Sequence, residues 1–149
     1  MKYEVKESED WLVEEDRQDL RNRTKCFALR VIQLYGILPK STLAQTLGKQ
    51  VLRLGTSVRA NYREAWRARS KPDVERQLGD GGTTAAEAQR REHFRVHSGR
   101  KCEQTTYWFE LLIETDTTPG KQLANLTDEA DQLLAIFTTI SKKVKARKK

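Results

Sequence analysis

The residues that most narrow the possible folds lie near the C-terminus. Leu126, Ala130, Leu133, Phe137, Ile140 and Val144 follow one another at alternating steps of four and three. In an α-helix that spacing stacks all six side chains along one stripe, which must be buried against other helices. A strand would scatter them over both faces, because its side chains alternate with period two. Thr118-Pro119 precedes the run as a cap followed by a proline, an arrangement that opens a helix. A helix with such a seam needs partners, and the rest of the chain is expected to supply them.

Three upstream segments carry the same kind of pattern. Leu20, Phe27, Val31, Leu34 and Leu38 predict a first helix over about 16–38, widened by Ala28, Ile32 and Tyr35 and ended by Pro39. Thr42 and Gln45 then read as a capping box. Leu43, Leu47, Val51, Leu54, Val58, Tyr62 and Ala65 continue a second helix to about Arg69, with Gly48, Gly55 and Ser57 as weak points inside it. Ser70, Pro72 and Asp73 resemble the start of a third helix. Gly79-Asp80-Gly81-Gly82 and Ser98-Gly99 break that helix, so 79–101 reads as a Gly/Arg-rich insertion in which Thr84 and Glu87 cap a short helix. The helical pattern resumes near Lys101 through Thr105, Trp108, Leu111 and Leu112. No alternating Val/Ile/Thr runs compete with it. The expectation is an all-α, antiparallel, up-down-up-down four-helix bundle with an insertion interrupting helix three. Its parts are an acidic arm (1–15), the bundle (16–145, insertion about 79–101) and a basic tail (146–149).

At 149 residues the chain makes one domain and can bury a real core. The net charge of +7 is unevenly spread. Residues 1–20 hold three Lys/Arg and eight Asp/Glu, which makes that segment −5 and the remainder +12. A body this basic attracts RNA, DNA or anionic membrane through its summed field, and an ordinary solvated surface can be basic too. A membrane-surface role is disfavoured, because the tail has no apolar anchor beyond Val144. Cys26 and Cys102 are expected to be free. With no apolar leader at the N-terminus and no membrane-length apolar window, the expected location is cytoplasmic.

Helix two carries the most suggestive polar residues. Arg59, Arg63, Arg67 and Arg69 present forked donors that suit phosphate. Lys142, Lys143, Lys145 and Arg147 add a basic helix end, where cations are also favoured by the backbone dipole. These eight are the candidate nucleic-acid contacts, and a solvated basic face is the plainer alternative. Arg53, Ser57, Asn61 and Glu64 lie among them at near-helical spacing. For Ser57, Asn61 and Glu64 a polar network across the bundle is the favoured reading.

Catalytic and metal chemistry are disfavoured. Glu103, Glu110 and Glu114 lack the Glu-x-x-His partners of a di-metal bundle site and are expected to pair with arginines. Glu92, His93, His97 and Cys102 do not match the H-E-x-x-H zinc order, and Arg90, Arg91, Arg95, Arg100 and Lys101 would repel a cation. The chain has neither a phosphate-binding glycine loop nor a nucleophile elbow. No enzyme activity, cofactor or metal is expected. Among the aromatics, Trp108 and Phe137 are assigned to the core, and Trp66 and Phe109 to a subunit interface.

Three blocks resemble a known family. They are DLRNRTKCFALRVIQLYGILPKS (19–41), QVLRLGTSVRANYREA (50–65) with WRARSK after it, and EQTTYWFELLIE (103–114) followed by LTDEADQLLAIFTTISKKVK. Their order and internal spacing resemble the four-helix-bundle family of 23S rRNA intervening-sequence proteins, related to the accessory variability determinant of diversity-generating retroelements. The resemblance covers most of 19–145. It implies a left-handed up-down-up-down bundle that assembles as a ring-shaped homopentamer. The retroelement relatives act as basic partners of RNA and a reverse transcriptase, so the resemblance adds a reverse transcriptase to the candidate partners. The chain departs from the family between helix two and Tyr107-Trp108, where family members have a much shorter stretch filled by continuous helix. Together these readings describe a non-catalytic, oligomeric bundle that binds RNA, or DNA, through phosphates. The alternative is a protein-interaction scaffold with no nucleic-acid role.

Overall fold

The computed structural model describes the backbone of residues 14–77 and 85–147, and the side chains of 18–67 and 85–146. These residues form α1 (Glu14–Ile37), α2 (Thr42–Gln77), α3 (Ala85–Glu114) and α4 (Gly120–Arg147). The first thirteen residues of the acidic arm, the glycine cluster 79–82 and the last two residues of the basic tail lie outside the described residues.

Local caps and turns set where α2 begins and α3 ends. Ser41, not Thr42, caps α2: its Oγ accepts the Ala44 amide at 3.2 Å. Gln45, expected to close a box with Thr42, instead donates to the Pro39 carbonyl at 2.9 Å and accepts the Tyr35 hydroxyl at 2.8 Å. At the far end of α3, Asp116 takes a left-handed conformation with φ 57°. The Thr117 amide reaches back to the Leu112 carbonyl and the Asp116 amide to Ile113, both at 3.0 Å. That pair of bonds is a Schellman closure, and aspartate tolerates the left-handed position better than most residues.

Contacts between helices show their directions. Gly48 meets Leu38, Gly55 meets Val31, and Arg59 reaches Thr24 and Arg21, so α1 and α2 run antiparallel. Gly120 meets Ile113 and Gly99 meets Phe137, so α3 and α4 do too. Arg23 on α1 closes the ring of helices by pairing with Glu129 on α4. The result is the expected all-α four-helix bundle, with its largest interface between α2 and α3 and its smallest between α1 and α4. All six seam residues of α4 are buried, together with Leu123 one turn earlier. They pack on Phe27, Val31 and Leu34 of α1, on Val51, Val58 and Tyr62 of α2, and on Phe109 and Leu112 of α3. Burying a large apolar side chain contributes about 1.5–3 kcal/mol, so this shared core outweighs the weak positions inside single helices.

Two boundaries differ from the sequence reading. The helix expected to end near Arg69 continues through Ser70 and Pro72 to Gln77, so Ser70 and Asp73 open no new helix. The segment expected to be an insertion is helical from Ala85 onward, and α3 runs unbroken through Ser98 and Gly99. Both small residues are buried in helix contacts. The Ser98 hydroxyl donates to the Val58 carbonyl at 3.0 Å, and a Cβ on Gly99 would lie 3.2 Å from the Cβ of Phe137. Ser-Gly here lets α3 approach two neighbours closely and does not stop the helix. On the same stretch Arg91 and Arg95 face inward, only 1% and 5% exposed, and neither is without a partner. Arg95 lies 3.6 Å from Glu92.

Candidate nucleic-acid interface

The predicted arginines of α2 do not form a uniform strip. Arg59 points toward α1 and is half-buried. Its Nη1 donates to the Arg21 carbonyl at 2.8 Å and lies 3.5 Å from the Thr24 hydroxyl. Burial first, then the neighbouring charges of Arg21 and Arg63, lowers this guanidinium from its ordinary pKa. Arg63 and Arg67 are exposed, and Glu64 lies 3.9 Å from Arg67. The side chain of Arg69 lies outside the described ones.

A residue from another helix completes the group. Arg21 of α1 lays its guanidinium over the Trp66 ring, 3.8 Å from the centroid. The cation is held against the negative face of the indole, and its Nη1 also donates to Gln18 Oε1 at 3.4 Å. Arg21, Arg59, Arg63, Trp66 and Arg67 together line a recess of about 240 Å³. Four guanidiniums thus share one hollow, and among the described residues the carboxylate paired with them is Glu64, 3.9 Å from Arg67. Sequence reasoning found the three α2 members and missed Arg21. It assigned Trp66 to a subunit interface, and within one chain the ring forms part of the recess wall. No local signal marks Arg21, because only the packing of α1 on α2 brings it there.

The basic end of α4 lies at the same end of the bundle. Tyr62 and Phe137 stack with ring centroids 5.8 Å apart, and α2 and α4 run in the same direction. Lys142 therefore sits level with Arg67, on a different face. Lys142, Lys143 and Lys145 are exposed. Lys145 lines a second recess between α3 and α4 with Arg100 and Glu103. The side chain of Arg147 lies outside the described ones.

The polar residues expected to bridge the bundle make local bonds instead. Ser57 donates to the Arg53 carbonyl at 2.7 Å, and Asn61 donates to the Ser57 carbonyl at 2.9 Å. Arg53 donates to Gln50 at 2.8 Å and Glu64 pairs with Arg67. All four satisfy groups on α2 itself, because their face of the helix turns away from the interior.

Glu103, Glu110 and Glu114 are all exposed, and none pairs with an arginine among the described residues. The rings of His93 and His97 lie 4.3 Å apart. Glu92 turns to Arg95, and Cys102 is buried in the core. Among the described residues no group of three His, Cys, Asp or Glu is placed to hold a metal ion. No helix among them is long and apolar enough to cross a membrane. Phe109, expected at an interface, is fully buried, while Trp108 is only partly buried at the core's margin. Phe137 is buried as expected.

No family model matches the chain, and no curated protein matches it. Among solved structures, the fold is similar to that of a protein of unknown function from the S23 ribosomal protein family of Bacteroides thetaiotaomicron VPI-5482. The TM-score is 0.64 at 24% identity, over 83% of this chain and 98% of the other. At that identity the likeness establishes a shared helical fold and says nothing about activity.

Proposed function

We propose that this bundle is a non-catalytic nucleic-acid-binding protein, preferring RNA, that contacts phosphates through the arginine recess and the basic end of α4. The convergence of Arg21, Arg59, Arg63 and Arg67 on one hollow is the observation that carries the reading. Among the described residues only Glu64 forms an ion pair with these cations, and a polyanion is a ligand that relieves their mutual repulsion. The sequence blocks and the shared fold support grouping the chain with the intervening-sequence bundles. That grouping brings a homopentameric assembly and a cytoplasmic location into the proposal. A retroelement role would add a reverse transcriptase as partner.

A second reading, a protein-interaction scaffold with no nucleic-acid role, is favoured by a different surface. Leu29, Ile32 and Ile37 on α1 and Leu43 on α2 are about half or more exposed. Exposed large apolar residues suit a protein contact.

Fluorescence anisotropy with a structured RNA and a matched DNA duplex, titrated across salt, separates the two. Phosphate binding predicts that log K falls steeply with log salt, by ~0.9 per phosphate neutralised on duplex DNA and ~0.7 on single strands. Arg63→Gln with Arg67→Gln should then reduce the slope by about one to two units. Absence of binding to either ligand at low salt would leave the scaffold as the better account.

A further inference from the structure

The recess has features that a general polyanion strip does not need. It draws on two helices, with Arg21 on α1 and Arg59, Arg63 and Arg67 on α2. Two of its guanidiniums are already fixed. Arg59 is anchored through Nη1 to the Arg21 carbonyl and the Thr24 hydroxyl, while its Nε and Nη2 make no bond among the described residues. Arg21 is held over the Trp66 ring, 3.8 Å from its centroid. Arg63 makes no hydrogen bond among the described residues, and Arg67 has only the long contact to Glu64. Two pre-oriented forks and two adjustable ones therefore surround a hollow of about 240 Å³. A hollow of this size admits one phosphate group and excludes a turn of duplex.

Resting on the nucleic-acid reading, we infer that the recess holds the terminal phosphomonoester of a single strand, in preference to an internal phosphodiester. Charge is the first reason. A phosphomonoester carries about −1.5 to −2 at neutral pH and offers three acceptor oxygens, whereas an internal diester carries a single charge. Among the described residues four arginines face one glutamate, which matches the greater charge. Burial first, and then the charges of Arg21 and Arg63, disfavour the Arg59 cation, and a dianion offsets that charge repulsion more than a monoanion does. Shape is the second reason. Residues of both α1 and α2 wall the recess, so a strand-end phosphate that projects its three oxygens can engage guanidiniums from two helices at once. The ring face of Trp66 beneath Arg21 is already covered, which removes that face as a platform for a base. The site therefore reads the phosphate and not the sequence.

The test compares one short single-stranded RNA with a 5′-phosphate, a 3′-phosphate or hydroxyls at both ends, using the full chain. A phosphate at one end should tighten binding by about tenfold over the hydroxyl-ended strand, as added charge-assisted bonds predict. That advantage should fade as pH falls through about 6, where the monoester takes up its second proton. Arg63→Gln with Arg67→Gln should abolish the end preference, whereas Lys142→Gln with Lys145→Gln should weaken all three strands alike and preserve it. Both replaced pairs are exposed, so folding is not at stake. Equal affinity for the three strands overturns the inference and leaves the general phosphate-binding reading standing. A preference that survives Arg63→Gln with Arg67→Gln also overturns it. Displacement of the strand by an equal concentration of nucleoside monophosphate overturns the assignment to a strand end. If no strand binds at low salt, both readings fall together.

Discussion

The hydroxyl of Ser98 on α3 donates a hydrogen bond to the backbone carbonyl of Val58 on α2, 3.0 Å away and fully buried. Val58 also gives its side chain to the core, so this contact marks a close approach of the two helices. Ser98→Ala removes the donor but leaves the carbonyl in its own helix, and should cost about 0.5–1.5 kcal/mol. Ser98→Leu forces α3 away from α2 and should cost about 1–3 kcal/mol or more. Urea unfolding of the two variants measures the difference. Equal effects would mean that the spacing of the two helices does not depend on a small residue at this position.

Two glycines predict opposite outcomes for the same replacement. A Cβ at Gly55 would lie 2.8 Å from both methyls of Val31, a β-branched side chain that cannot swing aside. Gly55→Ala should therefore lower stability by about 1–3 kcal/mol, even though alanine is the better helix former. At Gly36 a Cβ meets nothing within 4 Å. Gly36→Ala should raise stability by about 0.5 kcal/mol, a figure reduced by its position in the last turn of α1. Thermal melts of the pair check the sign in each case.

Arg23 and Glu129 form a two-pronged ion pair between α1 and α4, at 3.0 Å through Nε and 2.7 Å through Nη2. The same Nη2 also donates to Gln132 at 3.0 Å. This pair spans the smallest helix interface in the bundle. Both side chains are about one-quarter exposed or less, so solvent screens the pair only in part. Arg23→Ala should cost about 1–2 kcal/mol, and Glu129→Gln somewhat less. A double-mutant cycle with coupling near zero would remove the pair as a tie between the helices.

The two thiols should behave differently. Cys26 is exposed, whereas Cys102 is buried in the core. Burial first, then the charge of Glu129, pushes the Cys102 thiol up to about 12 from an ordinary 9.0. A thiolate-directed reagent at pH 8 should modify Cys26 alone in the native protein and both thiols after denaturation. The native state also keeps a proton that the unfolded chain releases above its ordinary value. The Cys102 contribution should thus leave stability unchanged at neutral pH and lower it as pH rises from about 9 toward 12, by at most ~1.4 kcal/mol per pH unit. Comparing the alkaline slopes of wild type and Cys102→Ala isolates this contribution.

Much of the architecture was legible because it depends on local spacing. The α4 seam, the α1 stripe, the break at Pro39 and the Thr118-Pro119 start are all written within a few neighbouring residues. Each predicts an amphipathic helix by itself, and helices with such faces must associate. The candidate site was legible only in part. Arg59, Arg63 and Arg67 stand out at helical spacing, but the same pattern gives no sign that Arg59 is anchored while Arg63 is open.

What the sequence determined by itself was that the chain is helical and which face of most helices is apolar. Tertiary structure decided how far α2 and α3 extend and what their polar residues do. Pro72 suits a first turn and Ser98-Gly99 suits a stop when only local preferences are weighed. In the folded bundle the cost of a glycine inside a helix, about 1 kcal/mol, is outweighed by close packing of α3 on Val58 and Phe137. Arg21 joins the α2 arginines only because antiparallel packing brings residue 21 level with residue 59. Local preference acts over a turn or two of helix, whereas a recess shared by two helices exists only once they have docked.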